Sequence, residues 1–308
     1  MRVAVIGAGG VGGFVGGLLA KAGHEVTFLA RGAHLAAIRE RGLTLKSVQA
    51  GDFTIAAAAT DRPAELGRND LVVVAVKMYD FAGIVAAAAA ALAPEGVVLP
   101  LQNGLEAPDL LAAAAGRERT LVGTISVEAA IAAPGTVAHT TPNHQLSLAA
   151  LSGPPGPRLE ALAAAFREAG VNVRVGQGGR QILWEKASVL IPFATLTSAG
   201  DCTLGDIWAV PALKQAWDRL AAEAIAAAAA DGYDVRREAA AMAATFEKML
   251  PRAAGFTSSM NRDFRAGRPT ELEWLTGAVV RVGRDKGAPA PAHEALYGVL
   301  NLRERRRS

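Results

Sequence analysis

Apolar positions in the first half of the chain alternate between short continuous runs and sets at helical spacing. Arg2–Ile6 is a short β-rich run, residues 11–22 read as a helix, and 25–30 read as a strand again. Residues 71–76 (LVVVAV) are apolar without interruption, the pattern of a strand covered on both faces within a parallel sheet. An alanine-rich helix is predicted over 79–92 and a further buried strand over 97–101. Shorter strand patterns at 121–127, Thr136–His139 and 145–149 are expected as antiparallel, hairpin-linked strands at the edge of the same sheet. Repeated strand–helix–strand units predict a doubly wound α/β sheet.

Beyond the GQGG segment at 176–179 the strand signals stop. Leu213, Trp217, Leu220 and Ala224 recur at steps of a helical turn, and so do Leu272, Leu275, Val279 and Val282. The second half is therefore expected to be all-helical, with domains at 1–177 and 178–308. The many alanines reflect helix-favouring composition and not an internal repeat.

Composition narrows the function classes. The 308 residues suit about two domains, and 51% of them are hydrophobic. A net charge of +3 leaves no broad basic surface, and the run Arg303, Arg305, Arg306, Arg307 reads as a solvated terminus; no nucleic-acid partner is expected. The single cysteine, Cys202, excludes an intrachain disulfide. Neither alanine run, 86–92 or 224–230, is long or apolar enough to span a bilayer, and the apolar start is interrupted by glycines where a signal peptide would continue. A soluble cytoplasmic protein is expected, without a membrane or metal partner. A homodimer built through exposed helices of the second half is compatible with the pattern.

The first chemistry is at the N-terminus. Gly7-Ala8-Gly9-Gly10-Val11-Gly12 spells G-x-G-x-x-G between a strand and a helix. In that context the first glycine makes the tight turn, the second admits a pyrophosphate to the backbone, and the third lets helix and strand approach. The helix N-terminus adds favourable partial charge for the phosphates. At the end of the second strand, where an NAD-type site carries Asp or Glu, the chain has Ala30-Arg31-Gly32. An arginine there can pair with a 2′-phosphate, so NADPH/NADP+ is the expected cofactor; the plainer alternative is a surface arginine in a turn.

Two further polar residues, Lys77 and Asn103, follow strand ends, where ligands gather in open α/β sheets. Lys186 shares a helix face with Leu183, Leu190 and Phe193 on a helix expected over 184–198. A lysine so placed either snorkels or works; partial desolvation lowers its pKa and suits it to proton donation. Thr270 and Glu273 have capping-box spacing, which places Glu271 at the first helical position without a structural assignment of its own beyond a favourable charge there. Ser258 and Ser259 are candidate caps of a preceding helix.

Taken in order, GAGGVG, LARG around Arg31, AVK at Lys77, QNG at Asn103, LWEK at Lys186 and TSSM…TELEW resemble the ketopantoate reductase (2-dehydropantoate 2-reductase) family over essentially the whole chain. The resemblance implies a Rossmann domain followed by a helical domain like that of 6-phosphogluconate dehydrogenase. It implies NADPH-dependent reduction of a small-molecule 2-oxo acid to a 2-hydroxy acid, in the first place ketopantoate to pantoate in pantothenate biosynthesis. Lys186 would be the general acid and Glu271 would bond the substrate's hydroxyl groups. Ser259 and Asn103 would hold the substrate, Asn103 also the nicotinamide end, and Arg31 with Lys77 would serve the adenosine 2′-phosphate or the cleft. One departure stands out. Family members place asparagines four and eight residues after the lysine, whereas this chain has Leu190 and Ala194. Loss of two amides makes a more apolar 2-oxo acid the alternative substrate. An oxidative dehydrogenase acting on a hydroxy compound or imine, and an inactive NADP(H) sensor, are the remaining alternatives; the retention of Lys186 and Glu271 speaks against the sensor.

Overall fold

The computed structural model describes residues 1–141 and 144–306; Arg307 of the basic terminus lies outside the described residues. By its internal contacts the chain divides into one unit of residues 1–102 and 106–182 and another of residues 103–105 and 183–308.

The first unit is α/β. Its strands are β1 (Arg2–Ile6), β2 (Glu25–Leu29), β3 (Leu43–Ser47), β4 (Phe53–Ile55), β5 (Ala58–Thr60), β6 (Asn69–Val74), β7 (Leu92–Pro100), β8 (Leu121–Ser126), β9 (Ala129–Ala133), β10 (Thr136–His139), β11 (Gln145–Ala150) and β12 (Val173–Val175). A five-stranded parallel sheet has the order β5-β2-β1-β6-β7. The chain builds outward from β1 in one direction and then in the other, so the order reverses between β1 and β6, where such sheets bind ligands. Val3, Val5, Leu71 and Val73 are fully buried, as strands covered on both faces require. Helix α1 (Gly10–Lys21) lies on this sheet, with the ring of Phe28 where a side chain on Gly16 would have to go. Its other side meets a second sheet, because side chains on Gly10 and Gly13 would strike Ala129 and Val137.

That second sheet corrects one sequence expectation. The later strands pair into sheets of their own, and one isolated parallel bridge, Val98 to Thr120, joins the start of β8 to the edge strand β7. β9 and β10 form an antiparallel pair in a four-stranded sheet of order β4-β3-β10-β9, while β8 and β11 pair antiparallel in a third sheet of order β12-β11-β8. The region 43–60 supplies three strands that the pattern did not mark, each only three to five residues long. The helix expected over 79–92 is also broken up. It becomes a four-residue helix (Met78–Phe81), a 3-10 turn (Ala82–Ile84) around Gly83 and a six-residue helix (Val85–Ala90), before Leu92 starts β7. Glycine weakens the helix interior, and the pairing of Leu92 with Asn69 claims its end.

Helix labels then follow chain order: α2 (Gly32–Arg41), α3 (Met78–Phe81), α4 (Val85–Ala90), α5 (Ala107–Ala115), α6 (Pro157–Glu168), α7 (Gly179–Gly200), α8 (Leu204–Ala209), α9 (Pro211–Ala230), α10 (Arg236–Ala253), α11 (Ser259–Arg265), α12 (Thr276–Asp285) and α13 (Pro291–Arg305). The second unit contains helices and no strand among the described residues. Its core gathers Val189, Phe193 and Leu196 of α7 with Trp217 and Leu220 of α9, and the Phe193 ring stacks on Phe256 at 5.5 Å. Among the described residues no helix is long and apolar enough to cross a membrane.

The crowding at Gly12 gives a direct test of the packing. A Cβ there would stand 2.0 Å from the Gly7 carbonyl oxygen, and backbone cannot step aside cheaply. Gly12→Ala is expected to lower unfolding free energy by about 1–3 kcal/mol in urea denaturation. Gly9→Ala, whose Cβ meets nothing within 4 Å, is expected to cost about 1 kcal/mol or less.

Candidate active site

The first unit places its polar features where β1, β2 and β6 end together. Ile6 is level with Leu29 on one side and with Val74 on the other. The chain leaves β1 at Gly7, which has φ +100° and whose N–H donates to the Leu29 carbonyl at 3.1 Å. A side chain at Gly7 would meet the Val76 backbone nitrogen at 2.9 Å, so both conformation and space demand glycine. Gly9 is the N-cap of α1, and its carbonyl accepts the first helical bond from Gly13 N–H at 2.7 Å. No side chain caps this helix and its first turn holds no carboxylate. Gly10, Val11 and Gly12 thus begin a helix whose leading N–H groups have no intrahelical acceptor, beside open space at Gly9. Such a cradle fits a phosphate anion, and the residue set fits a dinucleotide.

Ala8 is buried, and its carbonyl is bonded to His34 Nε2 at 2.8 Å. The other ring nitrogen, Nδ1, accepts from Gly135 N–H at 3.0 Å. Since Nδ1 is an acceptor, the proton resides on Nε2, which donates to Ala8. Burial pushes the imidazole below its ordinary pKa and keeps it neutral, against the smaller opposing effect of the Ala8 carbonyl. His34 thereby ties the glycine loop to the β9–β10 turn. Sequence reading missed it, because both its partners are far away along the chain.

Arg31 is the N-cap residue of α2, directly after β2, with its side chain 80% exposed. Its Nη2 donates to Asp80 Oδ2 at 2.5 Å. Lys77 is the N-cap residue of α3 and is half-buried, so both cations follow strand ends as expected. Asp80 was not singled out by the sequence. Gln102, also unremarked, ties neighbouring strand ends together by donating from Nε2 to the carbonyls of Val74 (3.1 Å) and Val76 (2.9 Å).

The second unit holds a separate cluster. Lys186, half-buried on α7, donates from Nζ to Asn103 Oδ1 at 2.7 Å. The ammonium can only donate, which fixes the amide's oxygen toward it. Gly104 has φ +100°, and a Cβ there would fall 2.6 Å from the Trp274 carbonyl oxygen. The Asn103–Gly104 turn is thus seated on the 271–275 segment. Glu271 in that segment is 4% exposed. Loss of water pushes the Lys186 ammonium down to about 8, and the charge of Glu271 pulls it in the opposite direction.

The capping box expected at Thr270 and Glu273 does not form. Residues 272–275 make turns, α12 starts only at Thr276, and Leu272 and Leu275 are buried ahead of that helix. Thr270 N–H donates to Glu304 Oε1 at 3.2 Å in place of Glu273, its hydroxyl donates to the same oxygen at 2.7 Å while still accepting from Leu272 N–H, and the Glu273 carboxylate takes Arg281 and the Tyr297 hydroxyl. Tertiary partners have outcompeted the local cap. Glu271 is therefore in a turn and not at a first helical position. α7 begins at Gly179, five residues before the expected start.

Of the two candidate caps, Ser258 is the one used: its Oγ accepts from Asn261 N–H at 3.1 Å. Ser259 follows as the first residue of α11 and is half-buried. Two hydroxyl pairs that the sequence did not reveal fix α7 against these segments, Thr197 with Ser258 at 2.8 Å and Thr195 with Thr276 at 2.7 Å. Leu190 and Ala194 lie one and two turns beyond Lys186; Leu190 is half-buried and Ala194 is 1% exposed. The cluster offers a tuned ammonium, an amide and a buried carboxylate, which is a set able to deliver a proton and grip hydroxyl groups.

The chain matches the family Ketopantoate reductase PanE/ApbA over residues 3–153, and the C-terminal part of the same family over residues 179–304. A 2-dehydropantoate 2-reductase of Halobacterium salinarum is 33% identical over 310 residues, with 99% of each chain covered. A PanE/ApbA family ketopantoate reductase of Ralstonia eutropha superimposes with a TM-score of 0.90 at 30% identity, covering 100% of this chain and 99% of that one. D-mandelate dehydrogenase, solved with NADH and anilino(oxo)acetate, shares the fold with a TM-score of 0.88 at 20% identity, covering 100% and 99%. The glycine loop, the parallel sheet and the lysine-bearing helix thus stand within one known architecture, and the chain belongs to the ketopantoate reductase family of oxidoreductases.

Proposed function

We propose that the protein reduces a 2-oxo acid to a 2-hydroxy acid with NADPH, and that its substrate is 2-dehydropantoate, converted to pantoate for pantothenate biosynthesis. The observation that carries this reading is the Lys186 ammonium, bonded to Asn103 and held near pKa 8. A bound nicotinamide cofactor supplies the hydride. Lys186 gives its proton to the carbonyl oxygen, and its charge stabilises that oxygen as negative charge develops. Asn103 keeps the ammonium aimed. Glu271 accepts hydrogen bonds from the substrate's hydroxyl groups, and Ser259 adds a further polar contact. The loop from Gly7 to Gly12 takes the pyrophosphate, and Arg31, with Lys77 nearby in sequence to the adjoining strand end, takes the 2′-phosphate.

A second reading is favoured by Leu190 and Ala194. Apolar groups at these positions cannot replace amide hydrogen bonds to a polar substrate, and they favour a 2-oxo acid with a more apolar side chain. Following NADPH and NADH oxidation against a panel of 2-oxo acids decides between them. The first reading expects the highest kcat/KM with ketopantoate and NADPH; the second expects an apolar 2-oxo acid to exceed ketopantoate. No oxidation with any panel member would overturn both.

Lys186→Ala is expected to lower kcat by about 10²–10⁴-fold while leaving the KM for NADPH within about twofold. An unchanged kcat would reduce Lys186 to a packing role.

The pH profile tests the proton's source. The acid form of Lys186 is present below about 8 and is lost as pH rises through that value, so kcat/KM for reduction should fall about tenfold per pH unit above it. In the oxidative direction the free amine is the base, and the limb should rise over the same range. Glu271 raises this pKa, so Glu271→Gln should move the limb to lower pH, whatever it does to the plateau rate. A limb that stays in place would remove the electrostatic link between the two residues.

A further inference from the structure

We infer that Asp80 sets how strongly this protein prefers NADPH, by acting as an internal anion that competes with the cofactor's 2′-phosphate for Arg31. The inference rests on the reading of Arg31 as the phosphate partner and concerns a residue that this reading does not use.

Arg31 reaches from the end of β2 and Asp80 from α3, just after the end of β6, the strands that flank β1 on either side. Their contact, Nη2 to Oδ2 at 2.5 Å, is the one hydrogen bond of the Arg31 side chain among the described residues. A guanidinium carries five donors in a planar fork, so most of its bonding capacity is still open to a phosphate. Charge sets the limit. A dianionic phosphate seated on Arg31 must either displace the Asp80 carboxylate or sit close beside it, and each course costs binding free energy.

The cost is modest, because the arginine side chain is 80% exposed and that of Asp80 35% exposed. Exposed ion pairs are weak and screened, so breaking this one corresponds to a factor of a few in affinity. NADH bears a 2′-hydroxyl at the same place. A hydroxyl does not challenge the ion pair, and a carboxylate accepts a hydrogen bond from it, as the acidic residue of NAD-type sites does. Asp80 therefore weighs on NADPH and not on NADH. The site has the arginine of an NADP-type pocket together with a carboxylate supplied from a different strand end, and the two set a tempered preference between them.

The test is a binding measurement, independent of the substrate. Dissociation constants for NADPH and NADH are obtained by titrating the protein and following nicotinamide fluorescence, for the parent protein and for Asp80→Asn, Arg31→Ala and the double variant. Asp80→Asn keeps the size and an oxygen acceptor for Arg31 while removing the charge. The ratio Kd(NADH)/Kd(NADPH) is expected to rise about three- to tenfold in Asp80→Asn, and the rise should shrink in 0.5 M salt. In the double variant the rise should vanish, because there is no longer an arginine to free. If Arg31→Ala collapses the ratio but Asp80→Asn leaves it unmoved or lowers it, Asp80 is neutral or a positioning partner and the inference is overturned alone. If Arg31→Ala leaves the ratio unchanged, the phosphate role of Arg31 fails and this inference fails with it. Far-ultraviolet circular dichroism on each variant separates these outcomes from loss of fold.

Discussion

An ammonium can stay charged away from water only if something else replaces its hydration, and the lysine-bearing unit is arranged around that requirement. Desolvation alone would drive Lys186 toward the neutral amine. The charge of Glu271 holds the balance near pKa 8, and the Asn103 oxygen accepts from the ammonium at 2.7 Å. Each of these partners then needs its own support. Asn103 is held by a turn whose Gly104 leaves no room for a side chain against the Trp274 carbonyl. Glu271 is buried in the segment that this turn rests on. The hydroxyl pairs Thr195–Thr276 and Thr197–Ser258 fix the helix itself. Buried hydrogen bonds of this kind are costly to leave unmade, so they lock the register of α7 against its neighbours.

The glycine loop meets a different constraint, that of close approach. Gly7 and Gly12 are needed because neighbouring backbone occupies the space a Cβ would fill, whereas Gly9 faces open space. Three glycines in one motif thus meet two kinds of demand, two of packing and one of access. The helix that follows is squeezed between two sheets, and its further glycines at 10, 13 and 16 allow that contact. His34 completes the arrangement, since its two ring nitrogens bridge the loop to the β9–β10 turn.

Such differences explain what the sequence disclosed. β1, the following helix and β10 are legible because their signals are local: an apolar run, a glycine spacing, an alternating pattern. So is the position of the amino-acid types that follow strand ends, including Arg31 and Lys77. Three strands between 43 and 60 are not, because strands of three to five residues carry too short a pattern to separate from turns. The capping box at Thr270 failed for a related reason. Its spacing is correct, yet Glu304, 34 residues away, accepts the Thr270 N–H that Glu273 would hold in a capping box. His34 and Asp80 were invisible as site residues because their partners lie 26 to 101 residues off along the chain. Only the folded register brings them together.

Two oppositely charged pairs show how exposure decides what such a pair can do. Arg31 and Asp80 meet in solvent, where the pair is weak, screened and easily exchanged for another anion. A cation so weakly held keeps most of its donors open, whereas one locked to its own carboxylate would not. Lys186 and Glu271 are desolvated to a much greater degree; burial lowers the lysine's pKa, and the charge of Glu271 draws it part of the way back. In that setting removal of the Glu271 charge leaves desolvation unopposed and takes the lysine's pKa lower still.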